Sequence, residues 1–408
     1  MLSINDLRED PQHYIQRLLK RNISAEAMVQ EILDLDKSYR KALQQQEQLK
    51  AELNQISKSI GQLIREQRTE EAKLAQEQTG KLKSELQVAQ QEASVQKNRL
   101  EELLLGLPNA PHPSVPEGLG AEQNEVIWQD ELPKVSAKIP HWDLAAKYQW
   151  VDFERGVKIT GAGFPVYSGG GAKLQRALIQ FFLDKNTEAG YQEFQVPLLV
   201  NEASGVGTGQ LPDKEGQMYG VPEDGLFLIP TAEVPLTNLF REEILDASLL
   251  PIKLTGYTPC FRREAGSYGK DVRGLNRLHQ FDKVEIVQLA NPEQSYAHLE
   301  EMVEHVTGLL RALELPARLL KLCGGDTGFA AAMTFDFEVY AAAQERWLEV
   351  SSVSNFESFQ ANRLKMRYKE GQEKPKLLHT LNGSALALPR IVAALMENGQ
   401  TEEGIRLP

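Results

Sequence analysis

The densest chemistry in this 408-residue chain lies between Thr258 and Val287, where two short β-rich runs flank a glycine-rich stretch. Arg262, Arg263 and Glu264 follow the first run, while Arg277, Phe281 and Glu285 recur at intervals of four toward the second. Residues an even number apart share one face of an extended strand. Arg262 is therefore expected beside Glu264, and Arg277, Phe281 and Glu285 on one face of the return strand. A guanidinium offers planar charge-assisted donors to phosphate, an aromatic ring or guanidinium plane stacks on a base, and a carboxylate holds an ammonium. Those are the groups a nucleotide and an amine require. The same residues also suit an exposed ion pair and a core phenylalanine, and the hairpin by itself does not choose between the two.

The elements that position these groups differ in texture along the chain. Met28, Ile32, Leu35, Tyr39, Ala42, Gln46, Leu49, Leu53, Ile56, Ile60 and Leu63 alternate spacings of four and three, with Gln46 the polar break in the seam. Ala72, Ala75, Thr79, Leu82, Leu86, Ala89, Ala93, Gln96, Leu100 and Leu103 repeat the period. Two helices follow from this, and the gap of about eight residues between the series favours an antiparallel coiled-coil hairpin over residues 28–103. Between Ser24 and Leu105 there are 12 Lys and Arg against 14 Asp and Glu. The hairpin thus lacks a basic stripe, and a structural or oligomerising coiled coil and an RNA-binding arm both remain open. Arg65, Arg68 and Lys73 near its tip are the best phosphate candidates.

Prolines from Pro108 to Pro116 cannot continue a helix, which sets a linker at 106–120 between an N-terminal domain (1–105) and a second domain (121–408). Beyond the linker, short β-rich runs, glycine loops and separate amphipathic helices indicate an α+β domain. Leu174, Ala177, Leu178, Phe181 and Phe182 share a helical face, and Tyr191–Val200 reads as a strand whose Pro197 belongs at an edge or bulge.

Composition narrows the function classes only a little. With 41% hydrophobic and 25% charged residues the chain is globular, and its net charge of −12 means that any RNA site must be a local feature. Two distant cysteines, Cys260 and Cys323, support neither a disulfide framework nor a zinc site. The N-terminus lacks the basic start and apolar core of a signal peptide, and no apolar run reaches the length of a membrane span. The cytoplasm is the expected compartment.

Phe261-Arg-Arg-Glu264 followed by His279-Gln-Phe-Asp-Lys-Val-Glu285 resembles motif 2 of the class II aminoacyl-tRNA synthetases in its seryl form. The helix through Phe182 with the strand after it resembles motif 1, and Thr380 to Arg390 leading into Ile391–Glu397 resembles motif 3. Thr231-Ala232-Glu233 is similar to the family's serine-binding loop. Glu349-Val350-Ser351-Ser352 is similar to its segment that meets ATP and magnesium; taken alone it would be a strand end with a polar turn. Val353 and Ala385 depart from the pattern, standing where Cys and Gly are common, and Tyr268 enlarges the motif 2 loop.

The resemblance implies a coiled-coil hairpin joined to a catalytic domain with an antiparallel sheet flanked by helices. It also implies ATP-dependent activation of L-serine and transfer to the 3′ end of serine tRNA, and of selenocysteine tRNA where present. Arg262, Glu264, Arg277 and Arg390 would be catalytic. Thr231, Ala232, Glu233, Arg262, Glu285, Asn382 and Ser384 would bind serine. ATP would meet Arg262, Arg263, Glu264, Arg277, Phe281, Glu349, Val350, Ser351, Ser352 and Arg390, with Mg2+ on Glu349 and Ser352 and no zinc. The hairpin would hold tRNA, and the motif 1 region would form a homodimer. Two rival readings are a ligase that passes a small amino acid to a carrier protein, and a coiled-coil scaffold with an inert globular half.

Overall fold

The computed structural model describes residues 1–133, 138–213, 216–264 and 273–408. They form two compact units. One comprises 2–19 and 23–108; the other comprises Met1, 20–22 and 109–408.

The first unit holds α1 (Ile4–Glu9), α2 (Pro11–Leu19), α3 (Glu26–Arg65) and α4 (Thr69–Gly106). Ser3 caps α1 by accepting the Asp6 N–H, and Pro11 opens α2 at a position where no helical donor is needed. With 40 and 38 residues, α3 and α4 are about 60 Å and about 57 Å long at 1.5 Å per residue. They pack along each other, and the ion pair of Arg99 with Glu31, 3.6 Å apart, joins the end of one to the start of the other as an antiparallel pair requires. Ile32 and Ala42 on α3, and Ala72, Leu82, Ala89, Ala93 and Leu100 on α4, are buried as the heptad spacing demands.

Two details depart from the pattern. The connection is only Glu66–Arg68, with Gln67 at φ 58°, because α3 continues past its last seam residue and α4 starts before its first. At the base of α3, Met28 is 36% exposed while Val29 is 1% exposed. There α1 also packs on α3, so the covered face is rotated away from a strict two-helix seam. Asp36 is buried at this junction and holds Arg8 at 3.3 Å and Arg40 at 2.9 Å.

The second unit is built on an eight-stranded sheet. Its strands are β1 (Glu125–Gln129), β2 (Gln192–Glu193), β3 (Ile252–Phe261), β4 (Gln280–Ala290), β5 (Ala317–Lys321), β6 (Met333–Ala341), β7 (Arg346–Asn355) and β8 (His379–Ala387). Their spatial order is β1-β5-β6-β7-β8-β4-β3-β2, and every neighbouring pair is antiparallel except β2 with β3. Helices α5 (His141–Tyr148), α6 (Gly169–Glu188), α7 (Glu233–Asn238), α8 (Ser295–Ala312) and α9 (Leu388–Asn398) accompany the sheet. α6 packs on β3 and β4, α8 on β7 and β8, and α9 on β4, β6 and β7. The fold is α+β, a helical hairpin joined to an antiparallel sheet with helices.

Strand β4 shows how the core sets up a site. Val284 and Ile286 enter the main core with Phe182, Met302, Phe337 and Ile391, while Val287 and Leu289 enter a second core with Ala232, Leu236 and Leu254. A strand covered on both faces should be apolar throughout. Lys283 and Glu285 interrupt it, and both are buried.

The expected strand over Tyr191–Val200 is two short ones, Gln192–Glu193 and Leu199–Asn201, with Pro197 in the gap. Proline cannot donate to a ladder. Among the described residues no helix is long and apolar enough to cross a membrane.

Candidate active site

Alternation along β4 puts Phe281, Lys283 and Glu285 on one face. Across the ladder, Glu285 lies opposite Ser384 and Val287 opposite Asn382 on β8. The turn Pro230-Thr231-Ala232 brings α7 to this face with Glu233 as its first residue, and Thr231 Oγ1 accepts the Glu233 N–H at 3.2 Å. Lys283 Nζ donates to Thr231 Oγ1 at 2.7 Å and lies 2.6 Å from Glu285 Oε2. Gln360 Nε2 donates to Glu233 Oε1 at 2.7 Å. Thr231, Glu233, Lys283 and Glu285 are 4%, 6%, 5% and 1% exposed, so these charges have no water to relax into.

Burial, and then the Glu285 carboxylate, push Glu233 up to about 7. Burial raises Glu285 as well, against the pull of Lys283. Of the two carboxyls, Glu233 is thus the one placed to change its charge near neutrality. Arg262 adjoins it. Its Nε donates to the Pro230 carbonyl at 3.3 Å, and its guanidinium stands 5.2 Å from the Phe281 ring centre.

A second set of charges involves the neighbouring segments. Arg277 Nε is 3.4 Å from Glu264 Oε2. Arg390, in the first turn of α9, donates through Nη1 to the Glu349 carbonyl at 2.7 Å and through Nε to the Asn276 carbonyl at 2.9 Å. The Glu349 carboxylate lies 3.9 Å from the same guanidinium. Ser352 faces Asp336 across the β6–β7 ladder. Burial, and then the Glu349 carboxylate, push Asp336 well above the usual carboxylate range, and its Oδ1 is buried without a hydrogen-bond partner. Glu349, Ser352 and Asp336 are hard oxygen donors that fit Mg2+, an ion that retains water and phosphate oxygens in its shell.

The sequence residues thus fall into two sets. Thr231, Glu233, Arg262, Phe281 and Glu285 come together, with Asn382 and Ser384 on the adjacent strand. Glu264 pairs with Arg277 and Arg390 with Glu349, while Ser352 shares its ladder position with Asp336. Strand β3 ends at Phe261 and β4 starts at Gln280, so Arg262–Glu264 and Arg277 lie outside both strands, and Glu264 turns the chain at φ 49°. The shared-face argument therefore holds for Phe281 and Glu285 and not for the other three. The side chains of Ala232 and Val350 belong to the core and leave only their backbone for a ligand. Val350 is the extra residue of a bulge, since pairing steps from Phe337–Ser351 to Glu338–Glu349. Ser351 is also buried and donates to the Ser384 carbonyl at 2.6 Å. Arg263 turns to the Tyr219 ring, 5.2 Å away. Tyr268 lies outside the described residues.

Sequence reasoning passed over three groups. Lys283 was signalled by its alternation with Glu285, and Asp336 by an acid inside the apolar strand Met333–Ala341. Gln360 has no local signature. In the hairpin, Arg68 pairs with Glu66 and Glu71 at 3.1 and 2.5 Å, and Lys73 with Glu70 at 3.3 Å. Arg65 is exposed at the end of α3.

Comparison with known proteins gives two family matches. Residues 1–111 match the seryl-tRNA synthetase N-terminal domain, and residues 219–399 match the tRNA synthetase class II core domain (G, H, P, S and T). A serine–tRNA ligase of Salinibacter ruber is 50% identical, spanning 100% of this chain and 96% of that protein. One of Methylacidiphilum infernorum is 47% identical over 99% of this chain and 96% of its own length. The crystal structure of seryl-tRNA synthetase from Pyrococcus horikoshii complexed with ATP superposes with a TM-score of 0.91 at 33% identity, covering 100% of this chain and 96% of that one.

The buried pair yields a prediction. Lys283→Met leaves the Glu285 carboxylate unpaired, a change that costs about 3–5 kcal/mol. With the ammonium gone, the Glu285 carboxyl rises further above its unfolded value, so the folded state keeps its proton. Stability is then greatest at low pH and falls as pH rises through the folded-state value. Urea unfolding should show a larger deficit against wild type at pH 8 than at pH 5. Equal deficits would show that the loss is one of packing and not of charge.

Proposed function

The chain belongs to the seryl-tRNA synthetase family, and on that premise we propose how its residues divide the work of activating serine with ATP and esterifying it to tRNA. As a serine–tRNA ligase it joins the serine carboxylate to the α-phosphorus of ATP, releases pyrophosphate, and passes the seryl group to the terminal ribose of tRNA. The observation that carries the assignment of roles is the buried cluster of Thr231, Glu233, Lys283 and Glu285 beside Arg262. It offers carboxylates for an ammonium and hydroxyls for a hydroxyl, next to a guanidinium for a carboxylate or phosphate.

In this reading Thr231, Glu233 and Glu285 hold the amine, and Glu285, Asn382 and Ser384 meet the serine side chain. Arg262 spans the serine carboxylate and the α-phosphate. Arg277 and Arg390 neutralise the remaining phosphates, and Phe281 supplies a face for the adenine. Glu264, turned back by its positive φ, orients Arg277. Glu349 and Ser352, with Asp336 beside them, would hold Mg2+, which when bound spreads the phosphate charge. No protein nucleophile is needed, because positioning and charge neutralisation are sufficient for in-line displacement.

The hairpin is assigned to tRNA, with the fit made by shape and backbone contacts as structured RNA demands. Its local ion pairs at Arg68 and Lys73 argue against a simple basic patch. A homodimer through the α6 region would use the surface that the chain leaves open there, including Ala177. The cytoplasm is the compartment where such an enzyme meets its tRNA. Among the relatives described above, neither the carrier-protein ligase nor the inert scaffold has a counterpart.

Two experiments test the division of labour. Charge-assisted hydrogen bonds contribute about 1.5–3 kcal/mol each and a bidentate arginine makes two. Arg262→Ala should therefore lower serine-dependent ATP–pyrophosphate exchange by about a thousandfold while the protein stays folded. Near-normal exchange would remove Arg262 from the site. In the second, residues 28–103 are replaced by a short Gly/Ser turn. Exchange should persist, since no residue assigned to adenylation lies in the hairpin, whereas tRNA charging should collapse. A truncated protein that charges tRNA normally would make the hairpin a scaffold.

A further inference from the structure

Away from the proposed substrate contacts, the second unit buries an ionisable pair completely. His141, at the start of α5, and Glu397, near the end of α9, both have side chains with 0% exposure. Glu397 Oε1 accepts from the His141 backbone N–H at 3.0 Å, from His141 Nδ1 at 2.8 Å and from Gln344 Nε2 at 2.8 Å. Its Oε2 accepts the N–H groups of Ala343 and Gln344 at 3.1 and 3.2 Å. Burial opposes the charge, but the bonds from His141 and Gln344 outweigh it and hold Glu397 below the usual carboxylate range. Removing the carboxylate would leave the backbone N–H groups of His141, Ala343 and Gln344 without an acceptor, which is one reason for the cluster and leaves room for a second.

Where the remaining bonds lead supplies one. The Leu275 N–H donates to His141 Nε2 at 2.9 Å, which fixes the tautomer with the proton on Nδ1. Gly274, at φ +70°, passes so close over the imidazole that a Cβ there would lie 2.2 Å from His141 Nε2. Asn276 Nδ2 donates to Gln344 Oε1 at 2.8 Å, and the Asn276 carbonyl accepts Arg390 Nε at 2.9 Å. Residues 274–276 run directly into Arg277. A continuous set of hydrogen bonds thus joins Glu397, through Gln344 and Asn276, to Arg390, while His141 pins the same short segment by its backbone.

We propose that His141, Glu397 and Gln344 are positioning residues that anchor the segment before Arg277 and the Arg390 guanidinium together, and so set the ATP-phosphate half of the site independently of the serine half. The proposal rests on the adenylation reading above. Groups holding a ligand-binding side chain in its productive geometry act on the ligand that the side chain touches, so the anchor should be felt by ATP and not by serine.

The test uses full-length protein and pyrophosphate exchange, varying ATP and serine separately, with thermal melting to verify folding. Gln344→Ala removes the link at a half-buried turn residue and should fold. His141→Phe removes the Leu275 acceptor and is the more drastic variant. The expected result for either folded variant is a KM for ATP raised about tenfold, the effect of losing one or two positioning bonds, with the KM for serine within about twofold of wild type. A folded Gln344→Ala protein with unchanged KM for ATP, or with equal rises in both KM values, would overturn the anchor while leaving the adenylation reading intact. A wild type without serine-dependent exchange would instead bring down that reading, and this inference with it.

Discussion

Glu285 stands on a central strand covered on both faces, where an isolated carboxylate costs several kcal/mol, and much of the site follows from how that charge is met. Lys283, two residues away on the same face, brings its ammonium to 2.6 Å. An ammonium has three donors, and Thr231 takes another of them at 2.7 Å. Thr231 in turn receives the first N–H of α7, which places Glu233 against the same cluster. Glu233 cannot also be fully charged there, and burial with the neighbouring carboxylate lifts it to about 7. One buried pair thereby fixes a turn, the start of a helix and the protonation balance of a pocket. Dipoles and charges held this way need no reorganisation when a substrate arrives.

The hairpin answers to a different constraint. Two helices of this length share only a narrow seam, and most of their surface stays in water. Alanines at Ala72, Ala89 and Ala93 allow a close approach with little apolar bulk. Leu7 and Leu18 of the two short helices are fully buried at the base, where burial is deepest and Asp36 is paired by two arginines. Toward the tip, charges pair locally, as Lys73 does with Glu70 within α4 and Arg68 with Glu71 across its start. Exposed pairs of this kind contribute little stability; they keep the tip soluble and nearly neutral.

What could be seen in the sequence sorts by the range of the interaction responsible. The heptad series placed the seam well between its ends, because a helical period is local; at the base it named Met28 and Leu103 where Val29 and Leu104 are the buried residues. The two strands around the glycine-rich stretch were legible for the same reason. The faces of Arg262, Glu264 and Arg277 were not, since a period-two argument fails where a strand has ended, and Glu264 turns with a positive φ. A spacing of four picked out Phe281 and Glu285 but stepped over Lys283, whose partner in the adjacent loop is far away in sequence. Val350 was displaced into the core by a bulge that no pattern announces. Gln360 and Asp336 acquire their roles only from the elements that pack against them. The seryl-type motifs suggested roles that periodicity could not, and the physical reading explains how those side chains are held.

The two halves of the site are held in different ways, and the difference bears on how each would respond to a ligand. On the side proposed for phosphate, Arg390 commits Nε and one Nη1 hydrogen to backbone carbonyls. A guanidinium has five donors, so three remain, and the plane is fixed before any ligand binds. Arg277 is different: its partner Glu264 is a carboxylate 3.4 Å away, and the arginine side chain is 40% exposed. Such a pair is weak and screened, and a phosphate, with more charge and more acceptors, competes for it on favourable terms. In the proposed phosphate site Arg390 would thus be a fixed wall and Arg277 an adjustable one. Since the Asn276 carbonyl, one residue before Arg277, accepts from Arg390 Nε, any swing of the adjustable arginine would start from a base that the fixed one helps to hold.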